Sequence, residues 1–186
     1  MRKNFGAKPW TSPLPVWILA AYDKDGVPCC MNAAWGGISD DTQVSICVSP
    51  GHKTVKNILE TGEFTVSMGQ ADQMVACDYV GIVSGNNVPD KFEKAGFHAE
   101  PAAAVNAPLI QELALAIECK LVSYDPETCL MVADIVETSI DESALDAQGS
   151  VDLSKVRPLA YDPYTHNYNA LGDVVGKAFH DGGQLK

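Results

Sequence analysis

The hydrophobic positions of this chain come in short runs, and most of the runs have the period of a strand. Val16 to Tyr22 is apolar throughout and ends at Asp23-Lys24-Asp25-Gly26, after which Val27 to Asn32 returns. This pattern predicts two strands joined by a hairpin turn. Gln43 to Val48 alternates, with Val44, Ile46 and Val48 on one face and Gln43, Ser45 and Cys47 on the other, as a half-buried strand does. Thr54 to Thr61 reads as a helix: Thr54 is the expected N-cap, Val55, Ile58 and Leu59 form the stripe, and Gly62 is the stop. Phe64 to Met68 is a short strand. Asp72 opens a second helix running toward Tyr79 and Gly81. After the loop Ser84-Gly85-Asn86-Asn87, a third helix spans Pro89 to Ala95 and ends at Gly96.

The second half of the chain is simpler. Leu113 to Tyr124 is the clearest long strand, with Leu113, Leu115, Ile117, Cys119 and Leu121 on one side and Glu118 and Lys120 on the other. Asp125-Pro126-Glu127 turns it into a partner strand through Val136. Residues 1–14 contain Pro9 and Pro13 and predict an irregular arm that packs through Phe5 and Trp10, with a partner subunit as one surface for it. The tail carries Tyr161, Tyr164, His166 and Tyr168, then a short helical piece with Val174, Val175, Ala178 and Phe179. Short strands punctuated by small helices, without repeats or a linker, predict one mostly β domain over residues 1–186.

Composition narrows the function. With 186 residues, 46% hydrophobic content and a formal net charge of -11, the chain reads as a globular domain. It lacks the basic surface that nucleic acid or anionic lipid requires. An anionic ligand therefore needs a local positive site. The six cysteines, Cys29, Cys30, Cys47, Cys77, Cys119 and Cys129, form no CxxC and no metal-ligand spacing with the four histidines. They read as free thiols in a reducing compartment, although Cys29-Cys30 leaves a strained redox dithiol open. No apolar h-region follows Met1-Arg2-Lys3, and Val16 to Tyr22 is too short to span a bilayer, so a cytoplasmic protein is expected. No GxGxxG follows a strand and no GxSxG elbow is present.

The stretch from Asn32 to Thr54 concentrates the candidate chemistry. Asn32-Ala33-Ala34-Trp35-Gly36-Gly37 offers backbone groups at small residues beside one amide and one indole, which suits a flat ligand with a polar rim. Ser49-Pro50-Gly51-His52-Lys53-Thr54 delivers a Lys-Thr pair to a helix start, where free N–H groups and the helix dipole suit a phosphate. Read singly, each has a plainer explanation: small residues for strand packing, and helix capping by Thr54 beside a solvated Lys53.

An ordered set of residues resembles a known family. It comprises Pro15-Val16, the turn Asp23 to Gly26, Asn32-Ala33-Ala34-Trp35, Ser49-Pro50, Lys53-Thr54 with Ile58, Gly62-Glu63-Phe64, and Ser84-Gly85 before Asp90-Lys91-Phe92. From about residue 10 to about residue 180 the chain is similar to the flavin reductase-like, flavoredoxin-type branch of the FMN-binding split barrels. The resemblance implies a six-stranded antiparallel split β-barrel with Greek-key topology and short flanking α-helices. It also implies a homodimer, and FMN near the subunit interface.

The resemblance places Asn32, Ala33 and Ala34 along the isoalloxazine, and Ser49, Pro50, Gly51, His52, Lys53 and Thr54 on the phosphate side. Trp35 is a candidate to cover a ring face, and Lys91 to add charge near the phosphate. Core packing and a helix-surface lysine are the plainer readings of those two. His166, with Tyr168, belongs to the tail that approaches the open side of the flavin, where it is a candidate to orient a nicotinamide; a local hydrogen bond in the tyrosine-rich turn is the alternative.

The implied activity is hydride transfer from NADH or NADPH to FMN. The alternative is a flavoredoxin-like electron-transfer protein whose tightly bound FMN is reduced by a protein partner. A split barrel holding haem or a deazaflavin is a third reading. Oxidation of a pyridoxamine phosphate would want more arginines than Arg2 and Arg157.

Overall fold

Residues 1–185 are described by the computed structural model. A two-residue strand β1 (Leu14–Pro15) precedes β2 (Trp17–Tyr22), β3 (Pro28–Ala33), β4 (Gly36–Asp40) and β5 (Gln43–Cys47). Helix α1 (Lys53–Thr61) leads to β6 (Glu63–Met68), then α2 (Met74–Ile82) and α3 (Lys91–Lys94). A small hairpin, β7 (Ala99–Pro101) with β8 (Pro108–Ile110), is followed by the long pair β9 (Leu115–Asp125) and β10 (Leu130–Ile140). The chain closes with α4 (Leu153–Val156), β11 (Leu159–Asp162) and β12 (Asn167–Ala170).

The main sheet is antiparallel, in the order β3-β2-β6-β9-β10-β5-β4, and β1, β11 and β12 form a separate three-stranded sheet. Its two outer strands, β3 and β4, are joined by only Ala34 and Trp35. Three peptide steps reach about 10 Å at most. The sheet must therefore curl until its edges nearly meet, which makes a half-barrel split at Ala34-Trp35. The six strands expected are β2, β3, β5, β6, β9 and β10, crossed by Greek-key connections; β4 adds a seventh at the edge.

The sequence pattern hides β4 because two glycines open it. A Cβ on Gly36 would stand 2.6 Å from the Trp17 ring, so the glycine marks close approach to a packed indole and does not break the strand. The run Trp17–Tyr22 lacks alternation because β2 is covered on both faces. Trp17, Leu19 and Ala21 join the barrel core with Phe64, Val66 and Met131. Val16, Ile18 and Ala20 join a second core with Cys77, Val80, Phe92 and Phe97, brought by α2 and α3.

Three expectations are corrected by the structure. Thr54 is the second residue of α1, not its cap: His52 holds the N-cap position, without a side-chain cap bond. Thr54 is turned inward, buried, with Oγ1 3.4 Å from Cys29 Sγ. Glu118 does not face solvent. It is wholly buried, accepting from the Ala103 and Ala104 N–H groups at 3.2 and 2.6 Å and from Ser139 Oγ at 2.8 Å, so it anchors the loop between β7 and β8. The helical piece at Val174 to Phe179 is absent; residues 171–177 are irregular and Val174, Val175 and Phe179 stand fully in solvent. Gly172 and Gly176 flank the valines, and with no surface to pack on so short a segment cannot sustain a helix.

The arm does gather its aromatics. Phe5 and Trp10 lie 5.4 Å apart by ring centroid, and Trp10 meets Tyr164 edge-on at 5.7 Å. Among the described residues no helix is long and apolar enough to cross a membrane.

Candidate functional site

Asn32, near the end of β3, is the point where three hollows at the barrel seam meet. The first, about 380 Å³, is lined by His52, Lys53, Thr54, Gly85 and Lys91. The second, about 400 Å³, is lined by Ala33, Ala34, Trp35, Ser49, Cys47 and Cys129, and shares Met31, Asn32 and His52 with the first. The third, about 350 Å³, is lined by Asp78, Tyr161, His166 and Tyr168, and shares Asn32, Gly81 and Ile82 with the first. Pro50 and Gly51 line none of the three. They are exposed, and the Gly51 carbonyl accepts from the Asn86 amide at 3.0 Å.

The first hollow has N–H donors on two sides. Lys91 is only 3% exposed, and its Nζ donates to the Val80 carbonyl at 3.0 Å and the Val83 carbonyl at 2.8 Å. Those carbonyls belong to the last turn of α2 and the residue after it, where cations are favoured. A lysine has three N–H bonds, so one is left beside the hollow it lines. Burial lowers the Lys91 pKa from its ordinary 10.5, and an anion would reverse that.

Opposite stands the start of α1. Its first intrahelical bond runs from Lys56 N–H to the His52 carbonyl at 3.1 Å, so the amides of Lys53, Thr54 and Val55 precede the helical ladder. Lys53 lines the same hollow, and its partly exposed ammonium is paired with Asp23 at 3.3 Å. Gly85 also lines this hollow, and a Cβ there would lie 2.8 Å from Cys29 Sγ and 3.2 Å from the Lys53 Cβ, so its backbone packs closely against both.

His52 bridges the first two hollows. His52 is exposed at the surface, and its partial burial, and then the Lys91 charge, lower its pKa from the ordinary 6.5. A histidine depressed on folding contributes stability that is complete above 6.5 and declines as pH falls below it. We therefore expect His52→Gln to flatten the acid side of the stability curve, read as denaturation midpoints between pH 7 and pH 5. An unchanged slope would exclude that role.

The third hollow orients Asn32. Its Nδ2 donates to the Cys77 carbonyl at 3.1 Å and to Tyr168 Oη at 3.5 Å. Tyr168 in turn donates to Asp78 Oδ1 at 2.9 Å, which leaves its oxygen free to accept. A carbonyl can only accept, so the amide cannot be flipped and Oδ1 is its remaining polar atom. Burial and Asp78 both raise the Tyr168 pKa, which keeps the phenol protonated. Gly81 permits the approach, since a Cβ there would come within 3.1 Å of the Asn32 Cβ. His166 lies in the same hollow, with Nδ1 2.8 Å from Tyr161 Oη at the turn of the β11–β12 hairpin.

The structure thus brings Asn32, Ala33, Ala34, Trp35, Ser49, His52, Lys53, Thr54, Lys91 and His166 to one seam. Trp35 is 57% exposed, an indole at the rim, not in the core. Sequence reasoning missed Asp78, Gly81 and Tyr161, which carry no motif and meet Asn32 only through the fold.

Comparison with known proteins identifies the fold. The structure superposes on the flavoredoxin of Desulfovibrio vulgaris (Miyazaki F) with a TM-score of 0.92 and 34% identity, covering 98% of this chain and 100% of that one. It matches the flavoredoxin from Methanosarcina acetivorans with a TM-score of 0.89 and 27% identity, over 100% of both chains. An uncharacterized protein of Aquifex aeolicus (strain VF5) is 26% identical over 159 residues, 79% of each chain. The model of the flavin reductase like domain matches residues 11–171, and the chain belongs to that family.

Proposed function

We propose that this chain binds FMN along the seam and passes hydride from a reduced nicotinamide, NADH or NADPH, to it. One observation carries the reading above all: a buried lysine with an N–H to spare faces an uncapped helix start across a glycine-lined hollow. That arrangement fits a terminal phosphate, and the hollow beside Ala33, Ala34 and Trp35 fits a flat ring. Bound FMN would supply a ring that accepts hydride at N5 and releases electrons singly or in pairs.

The chain's own part is placement. Asn32 Oδ1, held by Cys77 and by the Tyr168–Asp78 pair, offers a fixed acceptor to an N–H of the ring edge. Ala33 and Ala34 keep the β3 end clear of bulk, and Trp35 shields the rim from water. Lys91, Lys53 and the Thr54 amide hold the phosphate, while His52 spans ring side and phosphate side. His166 and Tyr161 stand on the far side of Asn32, where a nicotinamide would lie. Such transfer between two rings needs alignment and exclusion of water rather than a protein nucleophile.

The likeness to two flavoredoxins favours a second reading, in which tightly bound FMN is reduced by a protein partner and passes its electrons on. Mixing the protein with FMN and NADH, then NADPH, and following the flavin and nicotinamide absorbances decides between them. Nicotinamide oxidation with flavin bleaching supports the first reading; a yellow protein inert to both donors supports the second. Lys53→Ala should weaken FMN binding by about tenfold in a fluorescence titration, with riboflavin much less affected. Equal affinity would remove Lys53 from the phosphate site.

A homodimer is part of the same proposal. An apolar hollow of about 350 Å³ lined by Pro9, Leu14, Ala34, Trp35 and Gly36 adjoins the ring side of the seam, and a second subunit there would cover the exposed indole.

A further inference from the structure

Four of the six cysteines are buried, whereas Cys47 and Cys129 are partly open, and both line the hollow that carries Ala33, Ala34 and Trp35. Cys47 ends β5, and Cys129 lies in the turn just before β10. Cys47 Sγ lies 3.7 Å from the Thr128 carbonyl, the residue next to Cys129, and Cys129 Sγ lies 3.9 Å from the Pro126 carbonyl. Cys47 pairs with Leu130 in the β5–β10 ladder, and the Val48 N–H donates to the Cys129 carbonyl at 2.9 Å. Diagonal neighbours in such a ladder stand about 6 Å apart between Cα atoms, inside the range a disulfide spans. Cys129 has a positive φ of 61°, outside the regular strand, and it lines the same hollow as Cys47. The Tyr124 phenol, which donates to the Val48 carbonyl at 2.9 Å, has its pKa raised by burial and then by Cys129 and Cys47.

We propose that Cys47 and Cys129 form a reversible disulfide at the ring side of the seam, and that this pair exchanges electrons between the flavin and small disulfide substrates. The electron link to flavin rests on the FMN reading above. In one half of the cycle, the two thiols reduce a low-molecular-weight disulfide. One cysteine sulfur attacks it and releases the first thiol, then the second sulfur displaces the other, leaving Cys47 and Cys129 joined. In the other half, the protein disulfide takes a hydride equivalent, two electrons and one proton, from reduced flavin. One sulfur leaves as thiolate and is protonated by water, so two thiols and oxidised flavin result. The exposed rim gives the external disulfide access, which Cys29, Cys30, Cys77 and Cys119 lack.

The first test needs no flavin. Apo-protein is equilibrated in glutathione buffers of graded ratio, free thiols are blocked, and the digest is read by mass spectrometry. The expected result is a Cys47–Cys129-linked peptide that grows with the oxidised fraction, replaced in Cys47→Ser by glutathione on Cys129. Glutathione on either cysteine of the wild type, with no linked peptide at any ratio, overturns the pairing. In the second test, oxidised protein is loaded with FMN and photoreduced without air. One flavin should be reoxidised per disulfide opened, with two thiols released, and Cys47→Ser should keep its flavin reduced. Flavin that stays reduced beside an intact disulfide overturns the electron link. Failure of FMN to bind at all would instead count against the FMN reading, and the linked peptide in apo-protein would still stand as evidence for the pair.

Discussion

Lys91→Met should lower FMN affinity about a hundredfold and also destabilise the fold. The two losses have separate causes. Removing the ammonium leaves the Val80 and Val83 carbonyls without their shared donor, at a cost of about 1–3 kcal/mol for buried groups. It also deletes the one cation in the hollow that is nearly sealed from water, where a charge-assisted bond to phosphate is strongest. Riboflavin, lacking the phosphate, should bind wild type and variant almost alike, which separates the anion site from general damage. Because burial lowers the Lys91 pKa, FMN affinity should begin to fall on the alkaline side before pH 10.5, and in Lys91→Met that decline should vanish. Titration by flavin fluorescence from pH 7 to pH 10 reads both effects; equal affinity in the variant would place the phosphate elsewhere.

Asn32→Asp should be the second most damaging change, although it alters a single atom. The amide nitrogen donates to a carbonyl that can only accept and to a phenol whose proton is committed to Asp78. A carboxylate oxygen in its place would face the Cys77 carbonyl and the phenol oxygen, with the Asp78 carboxylate nearby. The cost is about 1–3 kcal/mol, which for a chain of this length lowers the melting temperature by about 2–4 °C per kcal/mol. FMN affinity should drop at least about tenfold, because the bonds through Nδ2 that hold Oδ1 toward the ring hollow are lost. Tyr168→Phe provides the control: it removes the clamp on the amide but not its bond to Cys77, and should fall between wild type and Asn32→Asp. If Asn32→Asp binds FMN as wild type does, Asn32 is only a strand terminus.

The sequence made the barrel legible where burial is one-sided or continuous. Gln43 to Cys47 alternates because one face meets the core, and the Val16–Tyr22 run is unbroken because α2 and α3 cover its other side. It concealed β4, because Gly36 looks like a breaker until the Trp17 ring is seen against it. It misjudged Glu118, because alternation cannot show that a distant loop will cover the polar face and use the carboxylate as an anchor. The candidate site was legible where it is nearly contiguous, at residues 32–35, at Ser49 and at residues 52–54. Its remaining parts, Asp78, Gly81 and the depth of Lys91, come from α2 and α3 folding over β3. No local pattern distinguishes a lysine that covers the end of a neighbouring helix from one on the surface of its own.

The most direct measurement is a crystal structure of the protein grown with FMN. The account predicts the phosphate within hydrogen-bond distance of Lys91 Nζ and the first amides of α1, with the ring edge at Asn32 beside Ala33 and Ala34. An ordered FMN bound elsewhere, with Lys91 and Asn32 keeping only their present partners, would contradict it.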